Sequence, residues 1–242
     1  SDVYKRQLIH NLELSEEAMT IEVFPNVPKA MGLGGSSALA VAIIKALNKT
    51  YELALKDAEI NTLAYKCEQT AHGKASGVDN TVATYGVPLF YQKESDDPHF
   101  ETLTLGQPLE LVIGITGKES LTAEMVARVR ASWNQHKARY ESIFDQIGSL
   151  TIQAKHAVQS GQLSELGELM NLCHGYLNAL QLSTPEIEEL IHLARINGAM
   201  GAKLSGGGGG GSVVALCPDS SNQVARAIEK AGYKSISVMV DS

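Results

Sequence analysis

The chain has 242 residues, 44% of them hydrophobic and 19% charged, with a formal net charge of -7, enough to bury a core in one large or two modest domains. The acidic balance excludes nucleic acid and anionic lipid as expected partners, because both recognitions begin with a cationic patch. No apolar run approaches the roughly 18 residues of a membrane span, Ser1 to Gln7 is too polar for a secretory signal, and Cys67, Cys173 and Cys217 form no C-x-x-C pair. A cytoplasmic protein with buried thiols is expected, without a disulfide or zinc scaffold.

Met19 to Phe24 (MTIEVF) is β-prone and is stopped by Pro25 and Pro28 ahead of a glycine-rich turn at Gly32 to Gly35. A helix should follow, with Ser36 or Ser37 placed to cap it. Ala38 to Leu47 is apolar nearly all round, which predicts burial on most sides. Asp57 caps a second predicted helix that ends near His72. Its residues Ile60, Leu63, Ala64, Cys67 and Ala71 share one face at helical spacing, with Glu68 on the flank. Ser76, Gly77 and Asp79 read as a loop, Leu89 to Gln92 as a strand, and Lys93 to His99 as a solvated hairpin end.

Leu109 to Ile115 predicts another strand. From about Ser120 to Asn197 a helical region carries breaks near Gly148, Gly161 and Ser183-Thr184-Pro185, with Pro185 in a first helical turn. Strand Ser212 to Cys217, helix Asn222 to Gly232 and strand Ser235 to Val240 follow. This order predicts an α+β protein of two domains, residues 1–106 and 107–242.

Three segments could carry chemistry. Pro28 to Ala38 (PKAMGLGGSSA) feeds a glycine-rich loop into an apolar helix, where glycines let backbone approach a polyphosphate and the helix start favours its negative charge. It matches neither the P-loop nor the dinucleotide fingerprint, and an N-cap with a flexible lead-in is the alternative. Glu68 and Asp79 could converge on a metal–phosphate site, one holding Mg²⁺ and one handling a proton, or be a solvated helix flank and an ordinary turn residue. His72 reads as structural. Gly201 to Ser205 (GAKLS) leads into six glycines, Gly206 to Gly211, and then SVVALC. A flexible linker would cut through one small domain there, so a tight loop admitting a ligand or another backbone is the better account.

Taken together and in this order, the three resemble the signature motifs of the GHMP kinases. PKAMGLGGSSA is similar to the family's P-x-x-x-G-L-G-S-S-A phosphate loop, and GAKLSGGGGGGS to its late G-A-K-L-T-G-A-G-G-G-G motif. Glu68 to Asn80 looks like the mevalonate kinase branch, in which a Glu eleven residues ahead of an Asp leads into H-G-x-P-S-G-x-D-N. The likeness continues through Asn178 to Leu190.

The resemblance implies a ribosomal protein S5-like N-terminal domain, incomplete here, and a ferredoxin-like C-terminal domain with a helical insertion. It implies ATP- and Mg²⁺-dependent phosphorylation of the primary hydroxyl of mevalonate, and a homodimer. Ser36 and Glu68 would hold Mg²⁺, and Asp79 would take the hydroxyl proton. Gly32, Leu33, Gly34, Gly35, Ser36 and Ser37 would wrap the phosphates, with Gly206, Gly207 and Gly208 close by and Lys203 and Lys118 as candidate cations. Ala75, Gly35 and Val87 depart from the family's Pro, Ser and Gly, beside the chemistry. Family members begin with a strand and loop supplying a catalytic lysine and parts of both pockets, and none of that precedes Met19. The chain is therefore expected to be an N-terminally truncated member, impaired as it stands. The alternatives are another GHMP small-molecule kinase, acting on phosphomevalonate or a sugar, and a catalytically dead binding protein on the same fold.

Overall fold

A computed structural model describes residues 20–24, 32–72, 75–94, 97–119 and 122–241. The readings made on Ser1 to Met19, on Pro25 to Met31, on positions 73 and 74 and on Ser120 lie outside the described residues. Two compact units emerge. The first is Gly34–Thr102, and the second is Leu103–Ser242, with Gly32 and Leu33 grouped with it. Among the described residues no helix is long and apolar enough to cross a membrane.

The first unit packs three helices, α1 (Gly35–Thr50), α2 (Asp57–His72) and α3 (Val78–Tyr85), and pairs β1 (Leu89–Glu94) with β2 (Asp97–Thr102) as an antiparallel hairpin. Ala40, Val41, Ile43, Ile44 and Leu47 of α1 meet Ile60, Ala64 and Cys67 of α2 in one core. Each large aliphatic side chain buried there contributes about 1.5–3 kcal/mol. Three expectations change here. Thr20 to Phe24 form no strand, since β-propensity is realised only where a neighbouring strand accepts the ladder. Helix α1 is buried on most sides, as expected, with Ala42, Lys45 and Ala46 on its one outward face.

Its cap is Gly34, in the left-handed region at φ 63°, and no side chain caps it. Asp57 is the first residue of α2 and not its cap; the Lys56 N–H ahead of it donates to Glu59 Oε2 at 2.9 Å, half of a capping box.

In the second unit, β3 (Leu109–Ile115), β4 (Gly201–Ser205), β5 (Ser212–Leu216) and β6 (Lys234–Val240) form an antiparallel sheet in the order β4-β5-β3-β6. Ile113 pairs with Val214 on one side and Ile236 on the other. Strands alternate their side chains between faces, so the sheet has two cores. Val112, Ala202, Leu204 and Val213 pack on helices α7 (Pro185–Ile196) and α8 (Ser221–Lys230). Leu109, Leu111 and Leu216 pack under the inserted pair α5 (Lys137–Ser160) and α6 (Leu163–Ala179). The strand order and the inserted helices are those of the expected ferredoxin-like domain.

Gly148 lies inside α5 and does not break it. The break falls at His136, between α4 (Thr122–Gln135) and α5. A single glycine costs a helix only about 1 kcal/mol, which packing readily outweighs. Strand β4 was not foreseen, because Gly, Ala and Lys are poor strand formers and its pairing with β5 decides the matter. Cys67 and Cys217 are buried and Cys173 is half-buried, all three free.

Thr184 accepts a hydrogen bond from the Ile187 N–H, with Pro185 at the first position of α7. Thr184→Ala should lower stability by about 1 kcal/mol, and Thr184→Ser should retain most of it. Urea midpoints for the two variants check this; equal midpoints would remove the cap's contribution.

Candidate active site

The sequence places no acidic residue in the first turn of α1 and no side-chain cap on it. The partial positive charge of that helix end is therefore left for an external anion. Ser36 and Ser37 stand in its first turn. Ser37 is buried, and its Oγ has no protein partner. Ser36 Oγ turns to α2 and donates to Glu68 Oε1 at 2.6 Å.

Glu68 is only 8% exposed. A carboxylate that far from water needs a counter-charge or donors, and its field is felt by its neighbours. Burial and then the Glu68 charge push the Cys67 thiol up to about 11. The same two causes, burial first, hold the Asp79 carboxyl above the usual carboxylate range.

Asp79 lies not in a loop but on the second residue of α3, whose cap is Gly77 at φ 90°. The Ser-Gly-Val-Asp composition hides this helix, because glycine opens it from a left-handed turn that most residues avoid. A network beneath it fixes the helix. Asn80, 2% exposed, donates to Asn61 Oδ1 at 2.6 Å, and Thr81 Oγ1 donates to the Gly77 carbonyl at 2.7 Å. A Cβ placed on Gly34 would stand 3.4 Å from Cβ and Cγ of Asp79. The first unit thus gathers Gly34, Gly35, Ser36, Ser37, Glu68 and Asp79 around the start of α1. His72 closes α2.

The remaining candidates belong to the second unit. Five of the six glycines from Gly206 to Gly211, all but Gly207, have positive φ. A Cβ on Gly207 would stand 2.7 Å from the Thr122 side chain, and one on Gly208 would stand 2.5 Å from the Leu182 carbonyl. The run is a packed loop and not a linker, and at Gly208 the backbone it meets leaves room only for glycine. Gly32 belongs to the same packing, its carbonyl 3.4 Å from a Cβ on Gly206, and Leu33 is half-buried beside it.

Lys203 Nζ donates to the Leu204 carbonyl at 2.9 Å, and burial lowers its pKa. Lys118 is 62% exposed and pairs with Glu186. Asn61 and two residues of β1, Tyr91 and Lys93, support the site and were not legible beforehand, because no spacing rule links a strand to a loop fifteen residues earlier.

Profiles of known families match both parts of the chain: GHMP kinases N terminal domain over residues 3–87, and GHMP kinases C terminal over residues 154–234. The chain belongs to the GHMP kinase family. Among GHMP kinases it is 37% identical to the mevalonate kinase of Thermococcus sibiricus over 238 residues, which is 95% of this chain and 70% of that one. It is 40% identical to the mevalonate kinase of Pyrococcus horikoshii over 228 residues, 91% of this chain and 67% of that one. Of solved GHMP kinase structures, that of L. major mevalonate kinase in complex with R-mevalonate superposes with a TM-score of 0.91 at 32% identity, over 99% of this chain and 76% of that one.

Proposed function

We propose that the protein transfers the γ-phosphoryl group of ATP to the primary hydroxyl of mevalonate, giving 5-phosphomevalonate and ADP. The observation that carries this reading is the meeting of Ser36, Glu68 and Asp79 at an uncapped helix start. It is supported by relatives that are mevalonate kinases along nine-tenths of the chain.

Phosphoryl transfer asks little covalent chemistry of a protein. It asks for positioning and for charge neutralisation where the transition state spreads negative charge. The residues present fit Mg²⁺. A hydroxyl and a buried carboxylate offer hard oxygen donors, and a second carboxylate close by has no cation to offset it among the described residues. Among the described residues no cluster of three or more His, Cys, Asp or Glu exists, which suits an ion that keeps several waters and takes one or two protein ligands. Bound there, Mg²⁺ would supply neutralising charge to the phosphate oxygens.

Main-chain N–H groups from Gly34 to Ser37 would bind phosphate oxygens at the α1 end. The Asp79 carboxylate would orient the acceptor hydroxyl and take its proton. That oxygen forms the new bond to γ-phosphorus while the bond from γ-phosphorus to the bridging oxygen of ADP breaks.

A turnover assay with Mg-ATP and a panel of alcohols tests the reading by ADP release. Mevalonate should be preferred over phosphomevalonate, galactose and homoserine. A sugar preference would overturn it.

A further inference from the structure

Residues 75–77 lead straight into the cap of α3, so their path decides where the Asp79 carboxylate stands. Two side chains of β1 hold that path. Tyr91 Oη donates to the Ser76 carbonyl at 2.7 Å. Lys93 Nζ donates to the Ala75 carbonyl at 3.3 Å and to Tyr65 Oη at 3.2 Å, and its ammonium stands 5.5 Å from the centroid of the Tyr65 ring.

Gly77 runs directly against these groups. A Cβ there would be 2.6 Å from Tyr91 Oη and 3.4 Å from Tyr65 Cε2. The contact is therefore closer than any residue with a side chain would permit. From Gly77 onward the path is rigid, because Thr81 Oγ1 returns to the Gly77 carbonyl and Asn80 is anchored to Asn61. The strand grips the only part of this route that the helix network does not.

We infer that Tyr91 and Lys93 are positioning residues for the phosphoryl transfer: they clamp the backbone from Ala75 to Gly77 and thereby place Asp79. The inference rests on the role proposed above for Asp79. Neither side chain needs to touch ATP or the acceptor alcohol. Catalytic groups must be held to about 0.5 Å, and a misplacement of about 1 Å costs on the order of 100-fold in rate. A clamp of two hydrogen bonds on a glycine-containing turn supplies a constraint of that kind.

Tyr91→Phe removes one hydroxyl and keeps the ring. It should lower kcat by about 10- to 100-fold while KM for ATP changes less than about twofold. Lys93→Met should act in the same direction, and Lys93→Arg, which keeps a donor and the cation over Tyr65, should restore most of the loss. In an Asp79→Asn background Tyr91→Phe should cost nothing further, since both act through one group.

Amide hydrogen exchange at Gly77, Val78 and Asp79 should be about tenfold faster in Tyr91→Phe. Unchanged exchange there would overturn the clamp, whether or not the unsubstituted chain turns over any alcohol. A sugar preference would instead overturn the mevalonate reading. An effect on KM alone, or an undiminished loss in the Asp79→Asn background, would overturn the positioning role.

Discussion

Asp79→Asn is expected to lower kcat by about 100- to 10,000-fold, the range that general acid–base catalysis contributes, while leaving the protein more stable. The two effects share one cause. Burial and the nearby Glu68 charge raise the carboxyl's pKa in the folded state. The folded protein then binds a proton more tightly than the unfolded chain, so stability falls as pH rises from the unfolded value, about 3.9, through the raised one. At neutral pH the ionised group destabilises the fold, and an uncharged isostere removes that penalty.

Without divalent cation, Tm should therefore rise in the variant. The unsubstituted enzyme should lose kcat as pH falls through the raised pKa, because a protonated carboxyl cannot accept the hydroxyl proton. The acid limb should thus sit above the ordinary carboxylate range. Steady-state ADP release across pH, with calorimetry on metal-free protein, checks both parts. A variant with intact kcat, or with a lowered Tm, would contradict the assignment.

Glu68→Gln should be nearly as damaging for a different reason. The amide keeps an oxygen that can accept from Ser36, so the 2.6 Å contact has a substitute while the negative charge is lost. If Glu68 holds Mg²⁺, kcat/KM for Mg-ATP should fall at least about 100-fold, equivalent to roughly 2.7 kcal/mol of transition-state stabilisation. The Mg²⁺ concentration giving half-maximal rate should rise more than about tenfold. Titrating Mg²⁺ at fixed ATP separates this from a folding defect, since excess metal should recover part of the rate. A rate insensitive to the substitution would place the metal elsewhere.

Much of this was legible in the sequence, and what was hidden shares a physical basis. Strand Leu109–Ile115 was read with its bounds, and helix Asp57–His72 with its end, because periodicity and burial act along one stretch of chain. The glycine run was recognised as a tight loop from its place between two structured segments. Helix α3 was read as a loop because its start depends on a left-handed Gly77, whose torsion is fixed by Tyr91 and Tyr65 from distant elements. Ser36 was expected to cap α1, yet its hydroxyl turns to Glu68, thirty-two residues away. Such partners meet only through the packing of α1 on α2, and local propensity holds no record of that.

The loop Gly206 to Gly211 has a bearing on how activities in such a lineage can diverge. Main-chain amides are chemically alike in every residue, so a surface made of them offers the same donors whichever residues carry them. Nor can it accept a larger residue at Gly208, where the Leu182 backbone presses against it. A change of residue type in this stretch can alter the loop's path but not the kind of donor it presents.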